Sequence, residues 1–158
     1  TNSDKIVSIA PHPIKFPTIP NEAVRAVTKD LAERIWLGYY TKGLFFYNLK
    51  TKSYTSFKIK EAKSQPDWMR IRSLFTASDG TVLAGTYAGI IRIKNNGDYS
   101  LYTAKRDSNL PNNRNYSIYE DANKQLWISC WGGMAKFNLK TDIFEAFKGQ
   151  KLLSKYHI

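Results

Sequence analysis

Apolar residues in this chain fall in short clusters of alternating character, broken every few positions by Gly, Asn, Asp and Lys. The stretch from Ser117 to Phe147 shows it best: SIYED, LWIS, MAKFN and IFEAF are separated by ANKQ, CWGG and LKTD. Runs this short, joined by turns of a few residues, predict strands in an antiparallel meander, because parallel strands need crossovers of a dozen residues or more. The same pattern recurs twice upstream. Trp36 matches Leu83 and Trp127 at steps of 47 and 44, Gly43 matches Gly89 and Gly133 at steps of 46 and 44, and Phe57 matches Tyr102 and Phe147 at steps of 45 and 45. Val27, Leu74 and Ile118 each lie nine residues before their anchor. A period near 45 residues built from four strands is that of a propeller blade.

The predicted fold is therefore all-β: a β-propeller fragment of about three four-stranded antiparallel blades in an incomplete ring, since closed propellers carry four to eight blades. The repeats occupy residues 21–150, divided at about 21–62, 66–106 and 110–150. Residues 1–20 read as the remnant of a preceding blade with its link, and residues 151–158 as a link toward a following one. Asp30 and Asp121 sit at the first turn of their copies, where an aspartate caps the backbone. Trp36 and Trp127, central in the second strand, are expected to fill the space between blades.

Composition adds to this picture. The 158 residues are 42% hydrophobic and 14% aromatic, with 4 Trp, 10 Tyr and 8 Phe, which suits a packed β core. The net charge of +11 favours anionic partners without choosing among them. Cys130, the single cysteine, leaves no intrachain disulfide to staple the fold. With His12 and His157 the only histidines, near opposite ends, material for a three- or four-ligand zinc site is lacking. Neither a cofactor fingerprint nor a nucleophile motif is present, so no cofactor, metal or catalytic residue is assigned.

Copy three, LPNNRNYSIYEDANKQLWISCWGGMAKFNLKTDIFEAF, together with the Pro-Asn link, turn aspartate and Trp-Ile-Ser or Trp-Leu-Gly strand, resembles the two-component regulator propeller repeat. Copy two departs from it, with Leu83 for Trp and Ala77 for the turn Asp. The resemblance spans residues 20 to 150 and implies a periplasmic sensor region of a hybrid two-component histidine kinase of gut bacteria. Such regions place two propellers before a small β-sandwich, a membrane helix and the kinase, and they detect oligosaccharides released from dietary or host glycans. The resemblance thus implies a non-catalytic segment of an inner-membrane protein that works as a homodimer, with the remaining blades of the same protein as neighbours. Two other readings stay open: a scaffold for protein partners, or part of a propeller lyase or hydrolase.

Blade topology puts the loops between second and third strands on the same rim as the entries to the first strands. That rim is the predicted ligand site, carrying Tyr39, Tyr40, Lys42, Tyr87 and Trp131 from the loops and Trp68, Arg70, Arg72, Arg114 and Tyr116 from the entries. Arg25, Arg72 and Tyr116 share one repeat position, and Ala23, Arg70 and Arg114 another. The resemblance implies an oligosaccharide ligand, and the rim suits one that is neutral or acidic, since rings offer an apolar face to a sugar and arginine forks bind carboxylate or sulfate. Nucleic acid is not expected, because no RNA-binding motif or basic helix accompanies the rim.

Overall fold

The structure, a computed structural model, describes residues 20–147. Within them lie three four-stranded antiparallel sheets. The first contains β1 (Val24–Lys29), β2 (Arg34–Tyr39), β3 (Gly43–Asn48) and β4 (Ser53–Phe57). The second contains β5 (Ile71–Thr76), β6 (Val82–Thr86), β7 (Ile90–Ile93) and β8 (Tyr99–Tyr102). The third contains β9 (Asn115–Glu120), β10 (Leu126–Cys130), β11 (Gly133–Asn138) and β12 (Ile143–Ala146). Strands follow chain order in every sheet, so each is a meander. The first strands β1, β5 and β9 adjoin across blades, which puts them innermost. The ring is open. The sequence assignments for residues 1–19 and 148–158 lie outside the described residues.

One turn, used three times, links first to second strand. The amides of Asp30, Ala77 and Asp121 donate to the carbonyls of Arg34, Thr81 and Gln125, and those of Glu33, Gly80 and Lys124 donate back to residues 30, 77 and 121. The third turn residue has a positive φ in all three: 62° at Glu33, 83° at Gly80 and 63° at Lys124. Where the aspartate is present its carboxylate completes the turn. Asp30 accepts from the amides of Ala32 and Arg34, from Arg34 Nε at 2.5 Å and from the Trp36 indole at 2.7 Å. Asp121 repeats the arrangement with Asn123, Gln125 and the Trp127 indole at 2.9 Å. In the second blade the carboxylate moves two residues on. Asp79 accepts from Thr81 and, at 2.6 Å, from Arg92, whose other amino group reaches Asp142 of the third blade.

Blades pack face to face through two apolar layers. Between the first and second lie Trp36, Leu44, Ile59, Trp68, Ile71, Val82, Ala84, Ile91 and Ile93. Between the second and third lie Leu83, Ile90, Leu110, Ile118, Leu126, Ile128, Ala135, Phe137 and Phe144. Gly38 and Gly85, at one repeat position, let the next blade's first strand come close. A Cβ on Gly38 would sit 3.0 Å from Ile71 Cβ, and one on Gly85 2.9 Å from Asn115 Cβ.

Trp36 is fully buried, as the repeat predicts. Trp127 is not, which corrects the expectation of a core tryptophan: it is only partly buried and lines an apolar hollow of about 370 Å³ with Ser117, Tyr119, Ser129 and Met134. The cause is the neighbour. Trp36 is roofed by the second blade, whereas among the described residues no further blade packs on the matching face of the third, where the Trp127 ring meets Lys136 Nζ at 4.8 Å and the Phe147 ring at 5.7 Å. On the first blade's opposite face Val24 and Val27 are 47% and 61% exposed, although the equivalents of Val27, Leu74 and Ile118, pack between blades; Leu31, in the turn after β1, leans instead toward Gly80 of the second blade.

Candidate functional site

The innermost strands share an irregularity. In β1, Val24 faces Tyr39 and Ala26 faces Gly38, so Arg25 has no opposite number. In β5, Ile71 faces Thr86 and Ser73 faces Gly85, leaving out Arg72. In β9, Asn115 faces Cys130 and Ser117 faces Ser129, leaving out Tyr116. Each first strand thus carries a β-bulge at the residue the repeat aligned. A bulge frees one side chain from the in-and-out alternation and re-aims it. Three bulges in register deliver Arg25, Arg72 and Tyr116 to one rim.

The turns between second and third strands meet them there. Arg72 Nη1 donates to the Tyr87 hydroxyl at 2.7 Å. The Arg25 guanidinium lies over the Tyr40 ring at 5.2 Å, and Arg72 lies over Tyr87 at 5.2 Å and over Tyr116 at 4.6 Å. Arg70 reaches Tyr40 at 5.8 Å and Tyr87 at 5.7 Å, while Arg114 reaches Tyr87 at 5.6 Å. The rings of Tyr40 and Tyr87 meet edge to face at 6.0 Å. Arg25, Tyr40, Ile71, Arg72 and Tyr87 enclose a pocket of about 290 Å³ at the seam of the first two blades.

Protonation follows the same contacts. The hydroxyl interaction between the two phenols lowers the Tyr87 pKa, desolvation opposes it, and the Arg72 hydrogen bond with the charges of Arg72 and Arg114 lowers it further. The interaction between the phenols raises Tyr40.

Of the residues the sequence assigned to the rim, Tyr40, Arg70, Arg72, Tyr87, Arg114 and Tyr116 come together. Trp131 is 60% exposed in the turn between β10 and β11, and its amide donates to the Arg114 carbonyl at 3.0 Å, which fixes it at the third-blade end of the rim. Lys42 is exposed, in the turn between β2 and β3. Tyr39 and Trp68 do not belong to a ligand surface. Tyr39 is 1% exposed and packs edge-on to Phe45 at 5.4 Å, and burial raises its phenol pKa. Trp68 is 3% exposed because the link between the first two blades folds into two 3-10 turns, Lys60–Lys63 and Pro66–Met69, that press the indole into the interblade core. Arg25, which the sequence reading aligned without assigning to the site, is part of it.

Comparison with known proteins agrees with this architecture. Residues 109–132, which hold the link into the third blade with β9 and β10, match the family model described as two component regulator propeller. The extracellular domain of a hybrid two component system from B. thetaiotaomicron superposes with a TM-score of 0.66 at 20% identity, over 93% of this chain and 20% of that one. A second such domain from the same organism gives a TM-score of 0.61 at 25% identity, over 81% of this chain and 17% of that one. Virginiamycin B lyase from Staphylococcus aureus also shares the fold, with a TM-score of 0.61 at 19% identity over 79% of this chain and 41% of that one. The chain spans about a fifth of the length of those two extracellular domains. Curated protein sequences offer no match. Among the described residues no helix is long and apolar enough to cross a membrane.

Proposed function

We propose that this chain is the ligand-sensing part of an extracytoplasmic propeller in a hybrid two-component histidine kinase, located in the periplasm of an inner-membrane protein. It binds an oligosaccharide at the arginine and tyrosine rim and makes no or breaks no covalent bond. The observation that carries the reading is the set of three β-bulges, which place Arg25, Arg72 and Tyr116 side by side at the inner rim. Side chains from three blades then converge on one ligand, so binding tightens one blade against another. In the full protein that change biases packing against the neighbouring domain and the homodimer partner, because a ligand shifts an equilibrium by its differential affinity for the two states. The two-component proteins of like fold support the setting.

The test is a thermal-shift screen of the protein against a broad panel of neutral and acidic oligosaccharides, since a ligand that binds only the folded state raises its apparent stability. One glycan class is expected to raise the midpoint. No shift across the panel, with the protein demonstrably folded, overturns the sensor reading in favour of a scaffold for protein partners. Consumption of the added glycan in place of simple binding favours a lyase or hydrolase.

A further inference from the structure

The tyrosine rings of the rim do not present bare faces. Tyr87 carries three guanidinium groups, from Arg70, Arg72 and Arg114 at 5.7, 5.2 and 5.6 Å; Tyr40 carries Arg25 and Arg70; Tyr116 carries Arg72. A ring covered in this way is a platform for a cation, held by its quadrupole. It is not a surface on which a pyranose or a base stacks. What the rim turns outward is charge and hydroxyl.

Counter-charge is scarce there. Arg34 and Arg92 are ordered elsewhere in the fold by Asp30 and by Asp79 with Asp142. On the rim, Arg70 meets Asp67 at 3.3 Å, with both side chains nearly half exposed, a pairing that screening leaves weak. Among the described residues Arg25, Arg72 and Arg114 pair with no carboxylate. Guanidinium groups gathered without a counter-ion repel one another, and an arriving anion relieves that repulsion as it gains fork-shaped hydrogen bonds.

Resting on the oligosaccharide reading above, we propose that the rim selects anionic glycans, seating a sulfate or carboxylate group between Arg72 and Arg114 beside the Tyr87 hydroxyl, with Arg25 and Arg70 taking a second anionic group along the chain. Trp131 supplies the stacking surface that the tyrosines do not: its indole is 60% exposed, and among the described residues no cation lies over it. Recognition is led by charge, with one sugar ring on Trp131. Single-stranded nucleic acid fits less well, since its binding sites need several bare rings for successive bases.

The experiment is calorimetry on the whole chain with matched neutral, carboxylated and sulfated oligosaccharides of one backbone, drawn from each backbone in the panel above, and with a thymidine oligonucleotide. One anionic series should bind at least about tenfold tighter than its neutral counterpart, and weaken several-fold between about 50 and 200 mM salt as charges are screened. The double variant Arg72→Ala, Arg114→Ala should abolish the preference while remaining folded at the temperature of the titration, as its unfolding transition checks. Arg72→Lys with Arg114→Lys, which keeps charge and loses the fork, should retain part of it. The carboxylated and sulfated arms identify which anion the site takes. Neutral glycans binding as tightly as anionic ones, untouched by the arginine changes, would overturn the selectivity and leave the sensor standing. No glycan binding at all overturns the sensor reading itself, and tightest binding of the oligonucleotide overturns the choice of glycan.

Discussion

Asp30 and Asp121 occupy the same place in their repeats, yet their surroundings give them different weight. Asp30 is buried and satisfies two amides, a guanidinium and the indole of a fully buried tryptophan. Asp30→Ala strands those donors and should cost about 2–4 kcal/mol in denaturant melts, with a smaller loss for Asp121→Ala. Burial alone would raise the Asp30 carboxyl, but the Trp36 indole and the Arg34 amide and guanidinium outweigh it and hold the group below its ordinary value of 3.8. A carboxyl lowered in the folded state contributes fully above its unfolded pKa and loses that contribution as pH falls through its folded one. Asp30→Asn should therefore flatten the acid limb of stability below about pH 4, as followed by urea melts across that range. The tryptophans divide in the same way. Trp36→Ala should cost about 3–5 kcal/mol as a core truncation, Trp127→Ala about 1–2 kcal/mol for its partial burial, and Trp131→Ala under about 0.5 kcal/mol. Equal losses at Trp36 and Trp127 would mean that the third blade's outer face is covered after all. The repeat placed the aspartates at the first turn and the tryptophans in the second strand, but the hydrogen bond between them emerged only from the structure. The sequence likewise could not reveal that Trp127 lacks a roof, because a repeat records what a position is and not what lies across from it.

Strands were legible because alternation and turn residues act locally, and the meander followed from turns too short for crossovers. Bulges were not. An unpaired residue is a property of two strands in register, and nothing in NYSIYE marks Tyr116 as the extra one. The alignment of Arg25, Arg72 and Tyr116 was the available clue. Tyr39 and Trp68 were misplaced for a related reason: aromatic residues next to a rim look alike in sequence whether their strand or link turns them outward or into the core. Close approach of the inner strands yields its own test. Gly85→Ala sets a methyl against Ser73 and Asn115 and should cost about 1–3 kcal/mol, with altered hydrogen exchange in β5, β6 and β9 before any other strand. An unchanged midpoint would mean that the blades sit farther apart than described.

As a body the chain combines a net charge of +11 with two unlike apolar faces among the described residues, one bearing Val24 and Val27, the other Tyr119, Trp127 and Met134. The second resembles the face that the first blade turns to its neighbour, and the first resembles the face that neighbour turns back. The two are complementary and not self-complementary, so a contact between copies is head-to-tail and leaves both ends of the pair still reactive wherever the blades do not close into a ring. In the language of polymer chemistry the isolated chain is a bifunctional monomer, and its average length in solution should grow with concentration. Sedimentation velocity should show a boundary that accelerates with loading and with added salt, which screens the mutual repulsion of the copies. Trp127→Glu should act as a chain stopper, capping one end and holding the distribution at its shortest member.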